Sequence, residues 1–210
     1  MKVGIVSDVH NNVAALEYAL SHLSDCEFVL NLGDLVFEYR VATEIVEVAR
    51  RAGLIGIVGN HEKAILQHPA SSIRNSLAPD TLGYLTDMPA SRTMTIAGYD
   101  LLIAHGAPWD DPDDHRCAYV LEHNNAAMER MRSIAADIIL LGHTHVPMLA
   151  EVGNKLVINP GSCGDARGAS NRLSFARIDF DDRMATVFGV RHGDVPDRLI
   201  ERRLSPSLNI

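Results

Sequence analysis

The sequence lacks the means for several architectures. Cysteine occurs only at positions 26, 117 and 163 of 210, an odd number with no Cys-x-x-Cys pair. That spacing excludes a disulfide framework and a thiolate zinc site, and it suits reduced thiols in the cytoplasm. No apolar run approaches the roughly 20 residues of a membrane-spanning helix. The N-terminal run is cut short by Asp8, too soon for the core of a signal peptide, so none is predicted. Positive charge is not in excess: 19 Lys and Arg face 27 Asp and Glu, a formal charge of −8. A chain this acidic is not built to hold polyanions over a broad face, so no extended nucleic acid is expected as a partner. Repeats, low-complexity tracts and linkers are missing too, which predicts a single domain over residues 1–210. With 47% hydrophobic and 22% charged residues, disorder and collagen-like structure are excluded.

Histidine, by contrast, is abundant, with ten residues in an acidic chain. This raises the question of metal binding before any motif is read. Residues 3–6, 28–32 and 54–58 read as buried strands. Between them Val13, Leu16, Leu20 and Leu23, then Ile45, Val48, Ala49 and Ala52, recur at helical spacing. Asn11 or Asn12 can cap the first helix and Gly53 closes the second. Strand-helix-strand-helix-strand order implies parallel neighbours with right-handed crossovers. Helices are also expected over 62–67, around 81–86 and over 118–134. Hairpins are expected around Ala97-Gly98-Tyr99-Asp100 and Gly153-Asn154, and strands over 137–141, 173–180 and 185–190. Arg198, Arg202 and Arg203 are expected on the exposed face of a last helix. The pattern is that of a mixed α/β domain with more than one sheet.

Five apolar segments end in short polar clusters: Ser7-Asp8-Val9-His10, Gly33-Asp34, Gly59-Asn60-His61-Glu62, His105-Gly106 and Gly142-His143-Thr144-His145. In open α/β sheets, ligands bind beyond the carboxyl ends of the strands. If the five strands are neighbours, their clusters face one crevice. Asp8, His10, Asp34, Asn60, His105, His143 and His145 are then seven candidate metal ligands with O or N donors. Seven donors suit two divalent ions, with a carboxylate such as Asp34 as the bridge. A mixed N/O set without sulfur suits manganese, iron, zinc, cobalt or nickel better than calcium or magnesium. His61-Glu62 does not open a zinc-protease motif, because Ile65 stands where the second His is required.

As a set, these motifs resemble the calcineurin-like metallophosphoesterases. Length, and Asn159-Pro160-Gly161-Ser162 after the last motif, are similar to the small bacterial and archaeal phosphodiesterase branch. The resemblance implies two stacked mixed β-sheets flanked by helices, a four-layer αββα sandwich. It implies that Asp8, His10, Asp34 and His145 hold one metal, and that Asp34, Asn60, His105 and His143 hold the second. It places His61 over the leaving-group or a non-bridging phosphate oxygen rather than on a metal. Two positions depart from the pattern. Many relatives have Gly where Asn11 stands, and the protein-phosphatase branch has Asp where Phe37 stands. The second departure argues against a protein phosphatase.

The expected activity is hydrolysis of a small, nucleotide-like phosphodiester by a cytoplasmic enzyme, with Asn60 and His61 as the catalytic side chains. A phosphomonoesterase or dinucleoside-polyphosphate hydrolase would use the same centre. A non-catalytic scaffold is the alternative from another class: the eukaryotic retromer subunit has this fold, without His at the position of His61. Asn12, Arg167 and His115 are the candidate substrate contacts. Residues 161–168 could cradle phosphate through backbone N–H groups, or form a plain turn. Pairing of edge strands would give a homodimer.

Overall fold

The alternation of side chains along the first strand decides the layering. On β1 (Lys2–Val6), Val3 and Ile5 enter a core that lies between two sheets. Val6 points the other way and packs beneath helices. Successive strand residues face opposite sides, so one short apolar run serves two cores.

The computed structural model describes residues 1–68, 71–110, 117–167, 172–191 and 195–206. In it, β1, β2 (Phe28–Asn31) and β3 (Ile55–Gly56) run parallel, joined by α1 (Val13–His22) and α2 (Thr43–Arg51). Antiparallel β9 (Leu173–Asp179), β10 (Met184–Val190) and β11 (Asp197–Arg203) complete a six-stranded sheet of order β11-β10-β9-β1-β2-β3. The second sheet has the order β4-β5-β6-β8-β7, from β4 (Ser91–Ile96), β5 (Tyr99–Ala104), β6 (Ile138–Leu140), β7 (Met148–Val152) and β8 (Lys155–Asn159). Within it β5, β6 and β8 are parallel, flanked by antiparallel β4 and β7.

The two sheets stack through Val3, Ile5, Leu30 and Leu32 on one side and Ile103, Ile138, Leu140 and Ile158 on the other. The outer face of the first sheet is covered by α1, α2, α3 (Asn60–Gln67) and α5 (Pro79–Asp87), through residues such as Leu16, Ile45, Ile65 and Leu85. The short α4 (Ser72–Ser76) buries none of its own residues. On the far side α6 (Asn125–Met131) sets Ala127 and Met131 against Ile139, Leu141 and Val157. The result is the four-layer αββα sandwich. Among the described residues no helix is long and apolar enough to cross a membrane.

Four expectations are corrected. The arginines near the C-terminus lie on β11, a ladder strand bonded to β10, and not on a helix. The expected helix over 118–134 shrinks to α6, because the Asn124 side chain accepts the Ala127 N–H at 3.1 Å and starts the helix there. The five strands with polar ends are not neighbours in one sheet: three belong to the first sheet and two to the second. The crevice lies where the carboxyl ends of both sheets meet. The third strand is also shorter than expected, since Val58 donates its N–H to Pro89 instead of to the ladder.

Leu140 is fully buried between the sheets. Replacing it with alanine is expected to cost about 2–5 kcal/mol through lost burial and the cavity left behind. Urea unfolding should show a lower midpoint with an unchanged slope.

Candidate metal centre

The polar clusters sit on strained backbone. Asp8, His10, Asp34, His143 and His145 all have φ between +48° and +67°, as does Asn11 at +63°. Non-glycine residues avoid this left-handed region, and such strain persists only where the surroundings over-determine it. Here the surroundings do so. The N–H groups of Val9 and His10 both reach the Asp34 carbonyl, at 2.8 and 3.0 Å, and the Asp8 N–H reaches the Gly33 carbonyl at 3.0 Å. Ser162 Oγ donates to the Asp8 carbonyl at 2.7 Å. Asn159, fully buried, donates through Nδ2 to the Gly142 carbonyl at 2.6 Å and to Thr144 Oγ1 at 3.1 Å. The loop after β8 therefore braces both the Asp8 and the His143 loops.

Close packing sets the glycines. A Cβ on Gly59 would lie 2.1 Å from Asp34 Oδ1, and one on Gly142 would lie 2.1 Å from Ser7 Oγ. Both backbones approach a site carboxylate or its partner more closely than any side chain allows.

Three imidazoles are oriented by main-chain carbonyls. His105 Nδ1 lies 2.7 Å from the Leu32 carbonyl, His143 Nε2 lies 3.0 Å from that of Cys117, and His145 Nδ1 lies 2.6 Å from that of Asp165. A carbonyl can only accept, so each of these nitrogens carries the ring proton. The opposite nitrogen of each ring then points into the site. This is the arrangement that orients a metal-binding histidine.

Those inward nitrogens meet carboxylates and one another. His10 Nε2 and His145 Nε2 are 3.0 Å apart, and His145 Nε2 lies 3.3 Å from Asp8 Oδ1. His105 Nε2 lies 3.1 Å from both Asp34 Oδ2 and Asn60 Oδ1. Asp8, His10 and His145 form one group of ligand atoms within 4.8 Å of each other, and Asp34, His105 and His143 form another. Asp34 also groups with His10 and His61, so it stands between the two. Asp8 Oδ1 and His10 Nδ1 are buried with no hydrogen-bond partner among the described residues. Ligand bonds of about 2.1 Å at right angles place neighbouring donors about 3.0 Å apart. The donor set therefore fits divalent metal, in both atom type and spacing.

Electrostatics agree with the packing. Burial pushes His10 and His143 down to about 4, so both rings are neutral at neutral pH. Burial also works against a charged His105, but the Asp34 carboxylate beside it raises that ring to about 10. Burial likewise opposes ionisation of Asp34, yet the imidazoles around it hold its carboxyl well below the usual carboxylate range.

Two of the three candidate substrate contacts have partners of their own. Asn12 caps α1, accepting the Ala15 N–H at 3.1 Å, and donates to the Gly164 carbonyl at 3.2 Å. Arg167 is exposed and pairs with Asp165 at 3.2 Å. His115 lies outside the described residues. Cys163 is buried, with its thiol pushed up to about 12 by burial, which removes it as a nucleophile. Trp109 packs under the Arg130 guanidinium, 4.0 Å from the ring centroid.

Sequence reasoning missed two acidic residues. Glu62, fully buried, accepts the N–H groups of Asp34 at 2.9 Å, Val36 at 2.9 Å and Gly59 at 2.7 Å. Burial, joined by the Asp34 charge, pushes its carboxyl up to about 7, and the N–H donors pull the other way. Glu38 donates its backbone N–H to His61 Nδ1 at 3.3 Å. For Glu62 the signal was there to use: a carboxylate at the third position of a helix beginning at Asn60 reaches back to the N–H groups before it. Glu62→Gln would turn an amide NH2 toward N–H groups that need an acceptor. It is expected to cost about 1–3 kcal/mol or more of stability, measured by urea unfolding, and to weaken metal retention on dialysis.

Residues 1–183 match the calcineurin-like phosphoesterase superfamily domain. A phosphodiesterase of Methanocaldococcus jannaschii is 27% identical over 168 residues, spanning 78% of this chain and 84% of its own. A metallophosphoesterase of Sphaerobacter thermophilus superposes with a TM-score of 0.71 at 26% identity, covering 91% of this chain and 88% of its own. Vacuolar protein sorting 29 of Cryptosporidium parvum shares the fold, with a TM-score of 0.64 at 20% identity over 98% of both chains. A family match over most of the chain places this protein in the calcineurin-like phosphoesterase superfamily.

Proposed function

We propose that this protein is a two-metal phosphodiesterase acting on a small phosphate ester. One observation carries the reading: ligand atoms spaced as donors around a cation form one group of Asp8, His10 and His145 and another of Asp34, His105 and His143, and Asp34 also groups with His10. In this reading Asp8, His10, Asp34 and His145 hold one ion, and Asp34, Asn60, His105 and His143 hold the other. Manganese, iron, zinc, nickel or cobalt suits these donors. Bound there, two divalent ions supply a hydroxide at neutral pH and offset charge on the phosphate.

The protein's own groups do the rest. His61 is half-buried beside the centre, its Nε2 lying 3.8 Å from Asp34 Oδ2. Because Nδ1 accepts the Glu38 N–H, the neutral ring keeps its proton on Nε2. That Nε2–H is placed to donate a hydrogen bond to the leaving oxygen, and the protonated ring can deliver its proton there. The His61 N–H donates to Asp34 Oδ1 at 2.9 Å, which ties the proton donor to the bridging carboxylate. Asn60 turns Oδ1 toward His105 and leaves its Nδ2 to donate to a phosphate oxygen. The net charge of −8 favours a small ester over a long polyanion.

A panel of phosphodiesters and phosphomonoesters, assayed with Mn, Ni, Co, Zn, Mg or a chelator, tests the activity. Metal-dependent cleavage of a diester is expected; no turnover under any condition would overturn the reading in favour of a scaffold. Metal analysis should find two ions per chain, falling in Asp34→Asn. His61→Ala should keep both ions and lose about 10²–10⁴-fold in turnover. Unchanged turnover in that variant would remove His61 from the chemistry.

A further inference from the structure

Among the described residues, four large apolar side chains are exposed: Phe37 at 36%, Tyr39 at 71%, Tyr119 at 53% and Val195 at 81%. Single exposed apolar residues need no explanation, but a cluster does. Three of these four are aromatic and all three stand at the metal centre. The Phe37 ring lies 4.9 Å from that of His61 and 5.7 Å from that of His10, and Tyr39 lies 5.3 Å from Phe37. Across the centre, Tyr119 stacks on His143 at 4.5 Å and 20°.

Both sets of rings are tied to the ligand loops. The turn that presents Phe37 and Tyr39 is closed by the Arg40 N–H on the Phe37 carbonyl at 3.1 Å. Asn11, next to the ligand His10, brackets that turn. Its Nδ2 donates to the Arg40 carbonyl and its Oδ1 accepts the Ala42 N–H at 3.3 Å. Tyr119 follows a segment fixed by the Cys117 carbonyl on His143 Nε2 and by the Ala118 N–H on Asp110 Oδ2, at 3.0 and 2.6 Å. Rings positioned in this way are preorganised, so a ligand has little ordering left to do.

We propose that Phe37 and Tyr39 on one side, and Tyr119 on the other, form stacking platforms for flat aromatic groups on the two ester arms of the substrate. This rests on the phosphodiesterase reading and extends it to substrate class: a diester bearing nucleobases or aryl groups. His61 packs against Phe37, so the leaving group lies along Phe37 and Tyr39, and the retained group lies along Tyr119. Stacking uses the π-face that every base and aryl ring possesses, so it selects for flatness and is tolerant of base identity.

Three diesters with the same 4-nitrophenyl leaving group test the retained side: methyl, phenyl and thymidine 5′-(4-nitrophenyl) phosphate. The wild type should cleave the phenyl or the thymidine ester with kcat/KM about tenfold or more above the methyl ester. A gain with thymidine alone identifies a nucleobase, and a gain with phenyl alone identifies an aryl group. Tyr119→Leu should abolish the gain and Tyr119→Trp should keep it. Equilibrium binding is the second readout. Adenosine 5′-monophosphate should bind the Mn-loaded protein more tightly than ribose 5-phosphate, by a margin that Phe37→Leu narrows. Equal kcat/KM for all three diesters, with equal binding of the two phosphates, would overturn the platforms and leave the phosphodiesterase reading standing. Tyr119→Leu losing all three diesters alike would reduce that ring to a cover for His143 and overturn its platform. If no diester is cleaved the phosphodiesterase reading fails, and equal binding of the two phosphates would then remove the platforms as well.

Discussion

The buried carboxylate of Glu62 is the interaction on which the site geometry depends. It gathers three main-chain N–H groups from two separate segments, the exit of β2 and the start of α3. Those segments carry Asp34 on one side and Asn60 and His61 on the other. A buried carboxylate is costly unless it is hydrogen-bonded on both oxygens, and here both are occupied. The same bonds answer the accounting at the helix start, where N–H groups have no partner within the helix. One side chain thus satisfies its own desolvation, caps α3 and sets the distance between Asp34 and its neighbours.

Around that anchor the ligand loops hold each other in shapes none would keep alone. Five of the seven candidate ligands sit in left-handed backbone, and each is tied by a hydrogen bond to another loop. Carbonyls of Leu32, Cys117 and Asp165 fix which nitrogen of three histidines faces inward. The donors are therefore convergent by construction, and their mutual repulsion is contained by the rigid, close-packed sheets beneath them.

Much of this was legible in the sequence, for a physical reason. A strand that buries both faces must be apolar, so the polar residues at its end stand out, and Asp8, Asp34, His105, His143 and His145 could be read directly. Division of the strands between two sheets was not legible, because an apolar run does not say which sheet it joins. β11 was misread because an edge strand exposes most of its length, and Arg198, Arg202 and Arg203 fit a helix face equally well. Glu62 could be read as a helix-capping carboxylate, but only the packing of two segments shows that it is buried. Asn11 and Phe37, the two departures from the family pattern, turn out to be neighbours in one device, the turn at the edge of the centre.

The two ligand groups share a feature of topology. Asp8 and His10 come from the first sheet, whereas His145 comes from the second. Asp34 comes from the first, whereas His105 and His143 come from the second. A cation held by either group is a cross-link between layers that otherwise cohere mainly through apolar contact, with a few hydrogen bonds such as that of His105 to the Leu32 carbonyl. Its binding energy is then folding energy, since an ion that prefers the assembled sandwich opposes its separation by mass action. The sheets and the ion clasp one another, so the molecule's resistance to heat becomes a measure of how fully its site is loaded.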